Sequence, residues 1–297
     1  MTDVRESTQR RTLTTLSVSQ VVAGVGVAGA VPAGALLMFD VSGSEALSGL
    51  AQTFAVTGAA LMALPLSRLT SRGGRRRTVL TGYSIGAMGA FLAVLGGTVR
   101  VIPLILIGTM LAGAATAAAY QLRFAAVDLA EPSRRGRDLA IVMWASTIGS
   151  VLGPNLLGWS GHNAELLRLP ALVGPYLFSG TMLLAAAIVV FLFLRPDPYL
   201  VSVKLAGEEK PPAPRNFRHA LQLIRQSSAA KIALGAIVTG HIAMVGIMVM
   251  TPVHMKHVDV SLTVIGLVIS VHILGMYALA PVFGSLSDRW GRVRVIQ

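Results

Sequence analysis

The sequence predicts an all-α, polytopic membrane protein, and three observations lead to this fold class. Hydrophobic residues occupy 54% of the 297 positions and charged residues only 13%. A soluble domain carries about 25% charged residues, so this chain has too little charge to cover a surface in water. The apolar residues form long unbroken runs, without the alternation that is typical of membrane β-barrels. The absence of cysteine excludes a disulfide-stabilised scaffold.

Eight apolar runs are each long enough for a helix that crosses the hydrocarbon core, which needs about 20 residues. In lipid, backbone polar groups must be satisfied within the segment, which favours helices. A signal peptide is the alternative for the first run, but this run exceeds the usual apolar length of about 7–15 residues. The eight predicted spans are 16–38, 46–66, 78–99, 102–122, 139–160, 169–194, 232–253 and 262–286.

The distribution of basic residues predicts the orientation of the chain and explains its net charge of +12. Of the 25 Lys and Arg residues, all but Arg100, Arg168 and Lys256 lie in the N-terminal tail, the C-terminal end or every second connection. This positive-inside pattern predicts a cytoplasmic N-terminus in the cell (inner) membrane. Because the charge is divided among five segments, we expect contact with anionic lipid headgroups and no nucleic acid partner.

A proline-rich polar segment and an internal repeat predict the domain organisation. Residues 195–230 combine five prolines with mixed charges, as in an extended cytoplasmic linker. We expect a six-helix N-terminal half over 1–194 and the first two helices of an incomplete second half over 231–297. Residues 44–77 align without a gap with 261–294, at ten identical positions. Parallel repeats of a six-span half are one of the known transporter architectures.

Each copy of the repeat ends in a basic loop. Residues 284–294 read Gly-Ser-Leu-Ser-Asp-Arg-Trp-Gly-Arg-Val-Arg, and residues 67–77 read Ser-Arg-Leu-Thr-Ser-Arg-Gly-Gly-Arg-Arg-Arg. The former resembles the cytoplasmic loop signature of the major facilitator superfamily, in which Gly, three residues, Asp-Arg, one residue and Gly precede basic residues. The resemblance implies that these loops latch the two halves in one state of a transport cycle. Its candidate latch residues are Arg72, Gly74, Arg75, Arg76, Gly284, Asp288, Arg289, Gly291 and Arg292.

The N-terminal loop departs from the signature, since Ser71 stands where the family has Asp. Asp128, at the cytoplasmic end of the fourth span, is available as a substitute partner. We hypothesise that Arg75 or Arg76 pairs with Asp128. The alternative is that these arginines serve only as a topology signal and as contacts for anionic lipid headgroups.

In the fifth span, residues 149–158 read Gly-Ser-Val-Leu-Gly-Pro-Asn-Leu-Leu-Gly, which resembles the fifth-helix motif of the superfamily's proton-driven exporters. Small residues four apart permit close helix packing, and proline bends a helix by removing one hydrogen bond. The alternative is the small-residue packing that membrane helices use widely. The family's fourth-helix arginine is replaced by Ile105. The motif residues are Gly149, Gly153, Pro154, Asn155 and Gly158.

Polar side chains inside spans are candidates for a substrate or proton pathway, because they are costly to bury in lipid. No Asp or Glu lies deep in any predicted span, so proton coupling would depend on a histidine, whose ordinary pKa is about 6.5. The alternative for each histidine is a hydrogen bond across a helix interface. The candidates are Gln20, Gln52, Tyr120, Trp144, His241 and His272.

These patterns together predict a transporter of a small organic molecule and not an enzyme, since no catalytic, cofactor or metal motif is found. The fifth-helix resemblance favours proton-coupled secondary efflux by alternating access. Because the family normally has twelve spans, we expect a chain truncated after its eighth helix, with another chain as one possible source of the missing helices. The alternative function is a membrane remnant of such a gene that does not transport, or a regulatory or scaffold protein.

Overall fold

The computed structural model describes residues 2–131, 134–205 and 217–279, together with 282, 286 and 290. This part of the chain is helical and contains no strand, which confirms the predicted all-α class. The helices are α1 (Thr2–Ser42), α2 (Glu45–Ser48), α3 (Leu50–Thr98), α4 (Ile102–Ala125), α5 (Arg135–Asn155), α6 (Leu157–Leu166), α7 (Gly174–Phe193), α8 (Pro198–Leu205), α9 (Phe217–Gln226), α10 (Ser228–His257) and α11 (Leu262–Ala278), with a 3-10 turn at Ala171–Val173.

Every predicted span is helical over most of its described residues, but the described helices do not match the spans one for one. Five helical segments of the described chain are long and apolar enough to cross a membrane, or six if α5 and α6, bent by 53°, form one span. The segment Glu45–Thr98 contains two predicted spans, 46–66 and 78–99, which are separated by a break at Gly74. Helix α11 has 17 described residues, fewer than the predicted span 262–286.

Helix α1 runs through the bundle and packs mainly against α5 and α7, while α3 packs most extensively against α4. The helices approach each other closely because small residues lie at their interfaces. A Cβ on Gly89 of α3 would collide with the backbone of α4 around Gly108. The larger buried side chains of this core are Leu16, Leu66, Tyr83, Leu122, Leu183 and Leu194.

Helices α10 and α11 contact the N-terminal helices mainly at one end of the bundle. We call it the outer end, because it lies opposite the basic loops. There Val249 and Val253 of α10 are buried against Ala35 of α1. Ile265 of α11 is buried with Leu36 of α1. The first half of α10 is exposed, so the described helices meet at the outer end and leave space between them elsewhere.

Candidate transport site

The N-terminal basic loop is built around a break in α3. Gly74 has φ 81° and ψ 175°, a conformation that side chains disfavour, and a Cβ there would collide with the carboxylate of Asp197. The Asp197 Oδ2 atom accepts a hydrogen bond of 2.8 Å from the backbone N–H of Arg76. Its Oδ1 atom accepts bonds of 3.0 and 3.2 Å from the N–H groups of Tyr199 and Leu200. One carboxylate therefore caps the second part of α3 and the start of α8.

The guanidinium of Arg75 forms a two-point ion pair with Asp128. The Nε–Oδ2 distance is 2.9 Å and the Nη2–Oδ1 distance is 3.1 Å. Arg75 Nη1 also donates to Gln121 Oε1 at 2.7 Å. The Arg75 and Asp128 side chains are only 11% and 12% exposed, so water screens the pair weakly. The pairing that the sequence left open between two arginines is present at Arg75, and its role in a latch stays a prediction.

The neighbouring arginines make different contacts. Arg76 Nε and Nη2 donate to the backbone carbonyl of Phe191 at 3.2 and 2.8 Å, and its guanidinium lies 4.7 Å from the Phe191 ring centre. This contact connects α3 to the end of α7. Arg72 is exposed and has no ion pair with a described residue. The C-terminal latch candidates Gly284, Asp288, Arg289, Gly291 and Arg292 lie outside the described residues.

The glycines of the fifth-helix motif lie where α5 meets α1. A Cβ on Gly149 would collide with the Val21 carbonyl oxygen and lie 3.0 Å from the Cα of Gly24. A Cβ on Gly153 would lie 2.9 Å from the backbone nitrogen of Gly29. Both positions thus allow the two backbones to approach closely, as small residues do at membrane helix interfaces.

The remaining motif residues lie at the bend between α5 and α6 and contact α11. Pro154 cannot donate the usual helical hydrogen bond, and α5 ends one residue later at a bend of 53°. Asn155 Nδ2 donates to Ser270 Oγ at 2.8 Å, and Ser270 Oγ donates to the Val151 carbonyl at 2.8 Å. Gly158 faces Thr263 of α11 so closely that a Cβ would collide with it. The motif therefore joins helices from both sides of the linker.

Two adjoining cavities lie between the helices. The larger, of about 510 Å³, is lined by residues of α1, α3, α4 and α7 and by His241 of α10. The smaller, of about 250 Å³, is lined by residues of α1, α4, α5, α10 and α11. Tyr120 and Thr116 line both cavities, so the two spaces are neighbours.

Four of the six pathway candidates line these cavities. Gln52, Tyr120 and His241 line the larger one, and Tyr120 and Gln20 line the smaller one. Gln20 is buried and donates to the Ala119 carbonyl at 3.3 Å.

The other two candidates lie elsewhere. Trp144 is 53% exposed and lines a shallow surface groove between α1 and α5. His272 lines neither cavity in the described part, and its Nε2 atom is buried without a hydrogen-bond partner there.

The sequence analysis missed two residues of this region. Asp197 was assigned to a linker, although an Asp just before a helix is a capping signal. Arg123 was not among the predicted pathway residues, yet it lines the smaller cavity, and its guanidinium lies 4.9 Å from the Tyr120 ring centre.

The outer end of the described bundle is closed by polar as well as apolar contacts. The Phe39 and His257 rings meet edge to face at 4.8 Å, and His257 Nε2 lies 3.6 Å from Glu45 Oε1. Because the first half of α10 is exposed, the described helices adopt an arrangement that is closed opposite the basic loops.

Long apolar helices around a partly polar cavity define a multi-pass helical membrane protein. The sequence profile of the Major Facilitator Superfamily matches residues 16–297. The chain is 35% identical over 288 residues to the uncharacterized MFS-type transporter YdeG of Bacillus subtilis (strain 168), covering 97% of the chain and 67% of that protein. It is 34% identical over 285 residues to YddS of the same organism, also named an uncharacterized MFS-type transporter, covering 95% of the chain and 65% of that protein.

A more distant similarity is to the riboflavin transporter RfnT of Brucella anthropi, 24% identical over 295 residues, covering 99% of the chain and 71% of that protein. The chain thus spans about two thirds of the length of the curated relatives that it matches. The chain belongs to the Major Facilitator Superfamily, whose members are transporters and not enzymes.

Proposed function

We propose that this chain carries a small organic molecule across the membrane by alternating access, with the cavity of about 510 Å³ as the substrate site. The observation that carries the proposal is the lining of that cavity, which combines the N-terminal helices with His241 from beyond the linker. A site between two units can close at one end and open at the other when the units rock. Transport of riboflavin by RfnT, as its name states, supports a small organic substrate.

The division of the chain follows from this proposal. Residues 1–194 form one moving unit, 195–230 connect it to the next, and 231–297 begin the second unit. The N-terminus and the basic loops face the cytoplasm of the cell (inner) membrane, where the exposed Arg72 contacts anionic headgroups. The closure at the outer end then corresponds to an inward-facing arrangement.

We further propose proton-coupled efflux. The fifth-helix motif at residues 149–158 supports this direction, because it resembles the motif of the superfamily's proton-driven exporters. His241 is the candidate proton carrier, since it lines the cavity and the described lining contains no carboxylate.

Inside-out membrane vesicles test the transport activity. Vesicles that contain the chain and have a more acidic lumen than the external buffer are incubated with a panel of anionic, neutral and cationic organic solutes. We expect at least one solute to accumulate above vesicles without the chain, and a protonophore to abolish the accumulation. His241→Gln should remove the dependence on the gradient, whereas His162→Gln, an exposed histidine on α6, should not. If the protein is inserted but moves no member of the panel, the proposal is wrong.

The alternating motion has an independent test, because the chain has no cysteine of its own. Ala35→Cys combined with Val253→Cys places two thiols across the outer closure. We expect a cross-link in the resting protein and a loss of flux while the cross-link is intact. Reduction should restore flux. Full activity of the cross-linked protein would contradict a rocking mechanism.

A further inference from the structure

The smaller cavity contains an uncompensated cation. Arg123 is the single formally charged side chain in its described lining, and the larger cavity has none in its described lining. In the part of the chain that the structure describes, no carboxylate forms an ion pair with Arg123, and its Nε atom is buried without an acceptor. A buried donor without an acceptor loses its water without compensation, which makes it a candidate for ligand binding.

Arg123 differs in this respect from the arginines of the basic loop. Arg75 has Asp128, and Arg76 has the Phe191 carbonyl. Arg123 instead lies over the ring of Tyr120, one turn earlier on α4, with 4.9 Å between the guanidinium carbon and the ring centre. Because Tyr120 lines both cavities, this stacking holds the guanidinium beside the cavity.

The walls around this cation are suited to a flat ring. Tyr277 and Tyr120 contribute aromatic surface, and three methionines from α10 and α11 contribute flexible, polarizable surface. These methionines are Met244, Met248 and Met276. Ser146 and Ser150 belong to the same lining.

We propose that Arg123 and Tyr120 form an anion-binding subsite of the transport cavity, and that the substrate is a small aromatic carboxylate. This inference rests on the proposed transport function. A carboxylate is planar and accepts two parallel hydrogen bonds from a guanidinium, which the ring stacking leaves pre-oriented. A cationic solute is repelled by Arg123 and finds no acidic side chain in either described lining.

Binding of three matched probes tests the subsite without requiring transport. The probes are 2-naphthoate, 2-naphthylmethanol and 2-naphthylmethylammonium, titrated against the whole chain in phosphatidylcholine nanodiscs. We expect the anion to bind at least about tenfold more tightly than the alcohol, and the cation most weakly, because a charge-assisted hydrogen bond is stronger than a neutral one. No saturable binding of 2-naphthoate, or equal binding of anion and alcohol, would overturn the proposal.

Variants assign the preference to the named side chains. Arg123→Gln should abolish the preference for 2-naphthoate over the alcohol. Arg123→Lys should retain part of that preference, because lysine keeps the charge but lacks the planar guanidinium. Arg68→Gln removes an equal charge from an exposed position outside both cavities and should change nothing. Tyr120→Leu should weaken all three probes and still favour the anion. If Arg123→Gln does not fold, an undiminished preference in Arg123→Lys would contradict the proposal.

The phosphate of a lipid headgroup is the alternative ligand for Arg123, because this residue lies near the end of α4. Repeating the titration in nanodiscs that contain phosphatidylglycerol should leave the 2-naphthoate affinity unchanged, and a large loss of affinity would assign Arg123 to lipid phosphate. The result is also separable from the transport assay. Charge-selective binding without vesicle flux contradicts the proposed function alone, whereas flux without charge selectivity contradicts the subsite alone.

Discussion

Replacing Asp128 by asparagine removes the charge that pairs with Arg75 while preserving the side-chain shape. The new amide keeps one acceptor oxygen, so Arg75 loses one of its two bonds to this side chain and retains the bond to Gln121. Removing one partner of a buried ion pair costs about 3–5 kcal/mol, and this pair is 11% and 12% exposed. Because Gln121 and one oxygen remain, we expect a loss of about 2–3 kcal/mol in the free energy of unfolding.

The matched control is the ion pair between Arg100 and Asp40 at the outer end. It has the same 2.9 Å distance, but its side chains are 58% and 48% exposed. Exposed pairs contribute about 0–1 kcal/mol, so Asp40→Asn should cost less than about 1 kcal/mol. Unfolding in mixed micelles, followed by tryptophan fluorescence, measures both variants.

A double-mutant cycle with Arg75→Gln and Asp128→Asn separates the pair from side effects, and we expect a coupling energy above about 1 kcal/mol. The pair is present in an arrangement that is closed at the outer end, so Asp128→Asn should also lower the cross-linking yield between cysteines at positions 35 and 253. If Asp128→Asn costs no more than Asp40→Asn and changes neither that yield nor flux, the latch reasoning is wrong.

Three further substitutions test the packing around the site. Gly74→Ala should destabilise the chain by about 1–3 kcal/mol, because φ is 81° and the new Cβ meets Asp197; Gly235→Ala, in an open helical position, should be neutral or stabilising in the same unfolding assay. Asp197→Ala should cost about 1–2 kcal/mol and increase hydrogen exchange at the amides of Arg76 and Tyr199, so unchanged exchange would contradict the shared cap. Gly153→Leu should separate α5 from α1 and reduce folded yield in size-exclusion chromatography, and a normal elution profile would refute the close approach.

Hydropathy was sufficient to predict the long apolar helices, because lipid requires long apolar segments and leaves few alternatives to an α-helix. It did not predict α8 and α9, which lie in the segment 195–230 that was expected to be an extended linker. It predicted two spans, 46–66 and 78–99, with a loop between them, but not that they are separated only by a break at Gly74. The sequence has two adjacent glycines, and the choice of Gly74 for the positive φ depends on Asp197, which lies far away in sequence. The bend after Pro154 was predictable, since a proline lacks the donor that continues a helix.

The site was only partly predictable. Two arginines adjacent on a helix point about 100° apart, so only the packing of α3 on α4 decides that Arg75 and not Arg76 reaches Asp128. Trp144 was predicted to line the pathway because its indole N–H is a polar group inside a span. The indole is mostly apolar, however, and is stable on the exposed helix surface where Trp144 lies. Arg123 was overlooked because a basic residue at the end of a span also fits a topology signal.

The carboxylate of Asp197 connects α3 and α8, two parts of the chain that are far apart in sequence. Its Oδ2 atom accepts a hydrogen bond just after the break in α3, and its Oδ1 atom accepts two at the start of α8. Asp197 itself directly precedes α8 in the sequence. A displacement of α8 would therefore act on the backbone amide of Arg76, which is one peptide unit from Arg75. A rocking movement of the residues beyond α8 would in this way be transmitted through one carboxylate to the break in α3, next to the ion pair between Arg75 and Asp128.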